Sequence, residues 1–199
     1  MWASGSSSEP RRRLRALIVA ALAATSAAPV CAADVAADDA LRSTFPGAGR
    51  FERETAFLTD SQSERVAALS GVAIQSRIVT YFTAHRDEEG EGSGSALLGA
   101  AFIDTHLVRT KPETLLISIE PPGKIRGVEV LSFLEPPEYR VSERWLRQLV
   151  ERPLDDELRL RRAIRTLSGA TLSSRSATDA SRRALALYEV LVSSSGDDE

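Results

Sequence analysis

Short apolar runs separated by turn residues predict a set of strands in the middle of the chain. Four segments are rich in β-branched and aromatic residues, and they span 77–85, 96–104, 113–120 and 125–133. The stretch over 86–95 is charged and rich in glycine, which predicts a solvated hairpin loop. The Pro-Pro-Gly-Lys sequence over 121–124 predicts a turn between the last two strands.

Capping residues and apolar residues spaced three and four apart predict helices on both sides of the strands. Thr59 and Gln62 form a capping box for a short helix that ends near Gly71. Ser142 can cap a second helix that runs to about Glu151. A last helix begins at a capping serine, either at 174 or at 176, and its apolar stripe comprises Ala177, Ala180, Ala184, Leu187, Tyr188 and Leu191.

The remaining segments have weaker patterns. Residues 33–42 are rich in alanine and aspartate, which predicts a short linker or a fraying helix. Residues 45–49 contain Pro and Gly and predict a turn. Residues 154–164 are compatible with a charged helix or with an irregular segment. Strands followed by helices indicate an α+β fold, in which one antiparallel sheet packs against helices that cover one side.

The domain organisation follows from these elements. We expect an N-terminal linker and short helix over 33–64, a single domain over 65–192 and a polar tail over 193–199. A chain of 199 residues is long enough for one ordinary domain and a processing segment.

The N-terminal segment has the pattern of a secretory signal peptide over residues 1–32. Four arginines precede an apolar, alanine-rich stretch over 16–28, and small residues follow at cleavage spacing. We expect cleavage after Ala32 or Ala33, with an uncleaved membrane anchor as the alternative. Val30 before Cys31 disfavours a lipoprotein signal. The protein is therefore expected to be periplasmic or otherwise exported.

Charge and cysteine content narrow the functional classes. The formal net charge is −3, and it falls to −6 without residues 1–32, because that segment carries four arginines and one glutamate. An acidic domain has no overall basic footprint for nucleic acid. Cys31 is the only cysteine, so the mature chain can form neither a disulfide nor a thiolate metal site.

The tetrapeptide Ser168-Gly169-Ala170-Thr171 is the strongest candidate for chemistry. Small residues that lead into a helix can hold a phosphate, because N–H groups at a helix N-terminus are unpaired and the helix dipole favours negative charge. Gly169 and Ala170 have little or no side chain, which lets a phosphate approach the backbone. By itself the tetrapeptide is also compatible with a simple loop and helix cap.

The run over 168–180 resembles the acceptor loop and following helix of the FMN-binding domain family, whose motif is Asp-x-x-Ser/Thr-Gly-Ala-Thr. Residues 122–131 look like the turn and strand of that family, and Glu135-Pro136 looks like a remnant of its Glu-Thr-Pro-Gly stretch. Residues 45–48 are similar to its first turn. The resemblance covers roughly 65–192 and includes the covalent-FMN subunits of Rnf-type complexes and of the sodium-translocating NADH:quinone oxidoreductase.

This resemblance implies a covalent flavoprotein. Thr171 would carry FMN through a phosphoester, Ser168 would position the loop or bond the phosphate, and Gly169 and Ala170 would allow close approach. Glu135 would lie near the flavin. A separate flavin transferase that uses FAD and Mg²⁺ would attach the FMN, and a membrane-bound or soluble redox partner would exchange electrons with it.

Two departures from the family pattern leave alternatives open. Arg165 stands where the family usually has the Asp six residues before the acceptor, and Glu135 is followed by Pro-Pro-Glu where the family has Thr-Pro-Gly. Arg165 could hinder the transferase or could lie near the phosphate as a cation. The first alternative function is therefore a non-flavinylated binding or assembly module of a membrane redox complex. The second is a flavin-dependent enzyme, although no substrate pocket is visible in the sequence and an electron carrier is favoured.

Other residues carry weaker signals. His85 beside the acidic loop could bind a metal, but an ordinary surface histidine is favoured. Trp145, Tyr139 and Phe133 could line a flavin, although core packing is the favoured role. Four nearby arginines could dock a redox partner or form a solvated face, and they are Arg159, Arg161, Arg162 and Arg165. No residue is expected to act as a catalytic group or as a metal ligand.

Overall fold

The chain folds around one sheet of five antiparallel strands in the order β1-β2-β3-β4-β5. The strands are β1 Arg50–Phe57, β2 Ile78–Asp87, β3 Ser95–Leu107, β4 Pro112–Glu120 and β5 Lys124–Phe133. Each strand pairs with the next along the chain, so the sheet is a meander. The prediction of an α+β fold with an antiparallel sheet is confirmed.

The computed structural model describes residues 32–87 and 95–193. The predicted signal peptide, the middle of the glycine-rich loop and the end of the predicted polar tail lie outside the described residues. The four helices are α1 Ala32–Thr44, α2 Asp60–Ser70, α3 Glu143–Leu146 and α4 Thr171–Tyr188. A 3₁₀ turn over Pro137–Tyr139 and a π-helical turn over Glu189–Ser193 complete the elements.

Helices cover both faces of the sheet rather than the predicted single side. The larger core lies between the sheet and α2 and α4, where Leu115, Ile117 and Ile119 of β4 are fully buried. A smaller core lies on the opposite face, where Leu116 packs with Leu41 of α1. Because both faces of β4 are buried, its residues 115–119 are all buried, and four of these five are apolar.

The four predicted strands and the helix capped by Thr59 are confirmed. The side chain of Thr59 accepts from the backbone N–H of Gln62, and the side chain of Gln62 accepts from the backbone N–H of Thr59 at 3.0 Å. Gly71 ends the helix with φ of 67°, a conformation that favours glycine. The predicted turns over 45–49 and 121–124 are also present.

Residues 32–57 contain more regular secondary structure than the sequence predicted. The alanine-rich segment forms the 13-residue helix α1, whose Ala37, Ala40 and Leu41 are buried. Strand β1 was not predicted, because charged residues interrupt its apolar pattern. It pairs along its whole length with β2, so an edge position accounts for its exposed charges.

Two predicted helix boundaries were wrong. The helix capped by Ser142 ends at Leu146, because the N–H groups of Gln148 and Leu149 bond to carbonyls three residues back and Glu151 has φ of 65°. The last helix begins at Thr171, three residues before the first predicted cap. Residues 154–164 form the irregular segment that was one of the two alternatives.

In the part of the chain that the structure describes, no helix combines the length and apolar character that a membrane crossing requires.

Candidate functional site

The first turn of α4 leaves main-chain N–H groups available for an anion. Ala170 occupies the cap position, and no side chain caps the helix there. The first intrahelical bond joins the N–H of Ser174 to the carbonyl of Ala170 at 2.9 Å. The N–H groups of Thr171, Leu172 and Ser173 are therefore the unpaired donors of a helix N-terminus, which is a favourable environment for a phosphate.

Ser174 explains why the helix begins at Thr171. Its hydroxyl donates to the carbonyl of Ala170 at 2.8 Å and accepts from the N–H of Leu167 at 3.3 Å. These bonds tie the preceding loop to the first helical turn. The Ser174 hydroxyl therefore stabilises the loop before α4 and does not cap a helix that starts at 174. The sequence pattern could not distinguish these two roles.

Gly169 provides the backbone conformation that turns the loop into the helix. Its φ is 86°, a left-handed value that L side chains rarely adopt. A Cβ at this position would meet no atom within 4 Å, so the space beside the glycine is open. Ser168, Gly169 and Thr171 are exposed, whereas Ala170 is buried. A phosphate or a transferase can thus reach the backbone here.

Thr171 faces a small cleft between the start of α4 and two loops. The cleft has a volume of about 170 Å³, and its lining comprises Val108, Arg109, Glu135, Tyr139, Gly169, Ala170, Thr171, Leu172 and Ser173. It brings together four of the five predicted site residues. The fifth, Ser168, is exposed and precedes Gly169 in the chain, but it does not line the cleft.

Glu135 organises the loop that forms one wall of the cleft. One of its carboxylate oxygens accepts from the N–H of Thr110 at 2.6 Å, from the hydroxyl of Thr110 at 3.2 Å and from the N–H of Lys111 at 2.8 Å. The backbone hydrogen bonds from Thr110 and Lys111 lower the pKa of Glu135 below its usual value. Glu135 is therefore an ionised side chain that holds the loop between β3 and β4.

Arg109 of the same loop and Tyr139 of the 3₁₀ turn also line the cleft. The Arg109 guanidinium lies 5.9 Å from the ring centre of Tyr139. The carbonyl of Tyr139 accepts a short hydrogen bond from the Ser173 hydroxyl, which links this turn to α4. Of the three aromatic candidates, only Tyr139 lines the cleft. Trp145 belongs to the core, and Phe133 is half-buried outside the cleft lining.

Arg109 was not identified from the sequence. It follows β3 and lies 62 positions before Thr171, so only the folded sheet brings the two residues to one cleft. No local motif marks it. Arg165, which the sequence offered as a cation near the phosphate, does not line the cleft.

Arg165 has a main chain that is held by two side chains. Its N–H donates to the amide oxygen of Gln148 at 3.1 Å, and its carbonyl accepts from the indole N–H of Trp145 at 2.6 Å. Its side chain is exposed. Arg159 lies 3.5 Å from Asp156, and Arg162 lies 3.9 Å from Glu157. Two of the four arginines in the predicted patch are therefore close to carboxylates.

The two histidines lie outside the cleft lining. His106 is buried and bonds to Asp104 at 2.7 Å and to Glu113 at 3.1 Å. His85 is half-buried and lies 3.8 Å from Glu52, so the favoured interpretation as a surface residue was wrong. Within residues 32–87 and 95–193, no group of three or more His, Cys, Asp or Glu side chains could hold a metal ion.

The residues of the cleft fit the phosphate end of FMN. They supply an exposed hydroxyl, unpaired N–H donors, an open approach beside Gly169 and the cationic Arg109. Pockets that enclose small molecules usually have volumes of about 300–1,000 Å³. A cleft of about 170 Å³ would therefore hold only part of the cofactor, and the rest would remain accessible to a partner.

Comparison with known proteins supports this assignment. Residues 110–186 match the FMN-binding domain family. The matched range contains all five predicted site residues, and the predicted resemblance to this family is confirmed over this range. No curated protein matches the sequence.

Proposed function

We propose that this FMN-binding domain carries its FMN covalently, through a phosphoester to Thr171, and passes electrons between partners outside the cytoplasm. The observation that carries the proposal is the position of Thr171. It is an exposed hydroxyl at the start of an uncapped helix, and it faces the cleft inside the matched range. The phosphate attached there would meet the N–H groups of the first turn.

The attachment requires an external flavin transferase with FAD and Mg²⁺. In the balanced reaction, the Thr171 oxygen bonds to the phosphorus of the FMN half of FAD. The bond from that phosphorus to the AMP half breaks, AMP leaves and the hydroxyl proton passes to the medium. Glu135 is held by Thr110 and Lys111, so we assign the acid–base chemistry to the transferase.

The residues of this chain hold and orient the cofactor. The N–H groups of Leu172 and Ser173 can bond the phosphate oxygens, and Arg109 adds a positive charge to the cleft. Glu135 keeps the loop that carries Arg109 in place. FMN supplies one-electron and two-electron transfer when bound, and the protein supplies its position and electrostatic surroundings.

Electron transfer is favoured over turnover of a small molecule by the dimensions of the site. The cleft has a volume of about 170 Å³, which is too small for a flavin and a second substrate together. The signal-like sequence over residues 1–32 supports export. A covalent bond would retain the flavin in a compartment without a flavin supply.

Intact mass spectrometry tests the attachment. The protein is produced with a flavin transferase and exported, and its mass is compared with those of Thr171→Ala and of the matched control Thr166→Ala. Thr166 is an exposed threonine in the same segment, outside the cleft lining. We expect a single FMN-sized increment in the parent and the control and none in Thr171→Ala. An increment in Thr171→Ala would refute the assignment.

A second candidate function rests on Arg165. Because Arg165 replaces an acidic residue of the transferase-recognition motif, the domain could serve as a non-flavinylated binding or assembly module of a membrane redox complex. This alternative predicts a folded, exported parent without an FMN increment in the presence of an active transferase. A chain that accepts flavin under those conditions would exclude it.

A further inference from the structure

A large groove lies next to the FMN cleft, and consecutive residues line the two sites. Tyr139 lines the cleft, and Arg140 lines the groove, which has a volume of about 980 Å³. Residues 127–130 of β5 contribute one part of the groove, and the segment that includes α3 contributes another. An occupant of this groove would therefore lie beside the flavin.

The edge of β5 is open along this groove. The sheet order places β5 at one end of the sheet. At Ile125 the outer edge is closed, because its N–H donates to the carbonyl of Arg152 and its carbonyl accepts from the N–H of Glu151. From 127 to 131, no main-chain group of the described residues pairs with the outer edge. Unpaired sheet edges can bind extended segments by strand addition.

Arginines dominate the charge around this edge. Arg140, Arg144 and Arg147 line the groove, and Arg144, Arg152 and Arg165 line an adjoining groove of about 530 Å³. We call these five residues the arginine surface. Among the residues that the structure describes, none of them forms an ion pair with a carboxylate within 4.0 Å.

The surface is positive despite the acidic character of the chain. Glu129 and Glu143 also line the grooves, so five arginines face two glutamates in a protein whose net charge is −3. Unpaired arginines favour a partner that supplies carboxylates. Apolar side chains of Val128, Val130 and Leu146 in the same groove favour a segment that also carries apolar residues.

We infer that the groove binds an extended acidic segment of a partner protein, which adds to the β5 edge and pairs its carboxylates with the arginine surface. In an added strand, alternate side chains point to opposite faces. A sequence that alternates acidic and apolar residues would therefore direct its carboxylates to one face. None of the arginine surface lines the FMN cleft, so this binding does not rest on the flavin.

Fluorescence anisotropy with a labelled octapeptide of alternating glutamate and valine tests the charge requirement. The test variant is the triple substitution Arg140→Glu, Arg144→Glu and Arg147→Glu. The matched control replaces the exposed Arg50, Arg65 and Arg161 with glutamate, so it has the same net charge as the test variant. We expect at least about tenfold weaker binding by the test variant and little change in the control. Equal binding by both variants, or no binding by the parent, would overturn the inference.

A second peptide tests strand addition. The same octapeptide, N-methylated at alternate residues, keeps its carboxylates but loses the N–H donors of one edge. It should bind at least about tenfold more weakly than the parent peptide. Equal binding of the two peptides would overturn strand addition. Thr171→Ala should bind the parent peptide as the wild type does, which separates this inference from the flavin assignment.

Discussion

The indole N–H of Trp145 donates a hydrogen bond of 2.6 Å to the carbonyl of Arg165, the residue at the position of the Asp in the motif that this loop resembles. The indole is buried, whereas the Arg165 side chain is exposed. The core therefore fixes the main chain of Arg165, whereas its exposed side chain is accessible to a transferase. This separation makes the role of Arg165 testable without disturbing the fold.

Arg165→Asp should increase the rate of flavinylation. The substitution restores the acidic residue of the motif and leaves the bonds from Trp145 and Gln148 unchanged, because both involve main-chain atoms of Arg165. The stability should change by no more than about 0.5 kcal/mol. The rate is measured from the appearance of the FMN increment, with Arg161→Asp as an exposed control. Equal rates for the parent and Arg165→Asp would show that the transferase tolerates the arginine.

Gly169→Ala should destabilise the domain and slow flavinylation. The φ of Gly169 is 86°, and an L residue in the left-handed region costs about 1–2 kcal/mol. Open space around the position means that the cost comes from the backbone and not from a clash. Chemical denaturation measures the change. Gly47→Ala is the control, since its added Cβ meets its nearest atom at an ordinary 3.7 Å. A neutral Gly169→Ala would contradict the assigned conformation.

Substitution of Glu135 should loosen the cleft wall. Glu135→Ala removes the acceptor for the N–H groups of Thr110 and Lys111 and should lower the melting temperature more than Glu135→Gln, which keeps an acceptor oxygen. Because the folded-state pKa of Glu135 is lowered, the stabilisation that it contributes to the folded domain is fully present above its unfolded-state pKa. It is lost as the pH falls through the lower folded-state pKa. Thermal melts across the acidic range measure both effects, and identical pH profiles for parent and Glu135→Gln would contradict this role.

The His106 network predicts a loss of stability at alkaline pH. Burial alone would lower the pKa of His106, but hydrogen bonds and charges of Asp104 and Glu113 outweigh it and raise the pKa to about 9. Arg183 also bonds Asp104 with two contacts of 2.9 Å. A raised pKa means that the stabilisation is complete below about pH 6.5 and is lost as the pH rises through about 9.

Denaturation of the parent and His106→Gln at a series of pH values measures this effect. Removal of the charged partner should cost about 3–5 kcal/mol near neutral pH, because the fully buried carboxylate of Glu113 loses its cationic partner. The difference between the two proteins should shrink above pH 9. A constant difference across that range would show that His106 is not charged in the folded protein.

Local patterns were sufficient where a residue's role depends on its neighbours in sequence. The capping pair Thr59 and Gln62 defines the start of α2 through contacts within one helical turn. The strands β2 to β5 were recognised because their β-branched and aromatic residues occur in short runs between turns. The candidate tetrapeptide was recognised because its four residues are adjacent in the chain: Ser168 and Gly169 lie in the loop before α4, Ala170 caps the helix and Thr171 is its first residue.

Long-range packing decided the features that the sequence did not reveal. Strand β1 is stabilised by β2, and α1 by the sheet face that carries Leu116, so neither needs a strong local pattern. Arg109 reaches the cleft through the hairpin between β3 and β4. The start of α4 depends on a hydroxyl that bonds back to the preceding loop. These contacts join residues that no local spacing relates.

Localisation of the flavin on one peptide tests the central claim most directly. Trypsin should release residues 166–175 as one peptide, because arginines precede and end this stretch. The peptide contains hydroxyls at Thr166, Ser168 and Thr171, as well as at residues 173 and 174. Tandem mass spectrometry of the fluorescent peptide should place a single FMN phosphoester on Thr171. FMN on another hydroxyl, or no flavin peptide after exposure to an active transferase, would contradict the account.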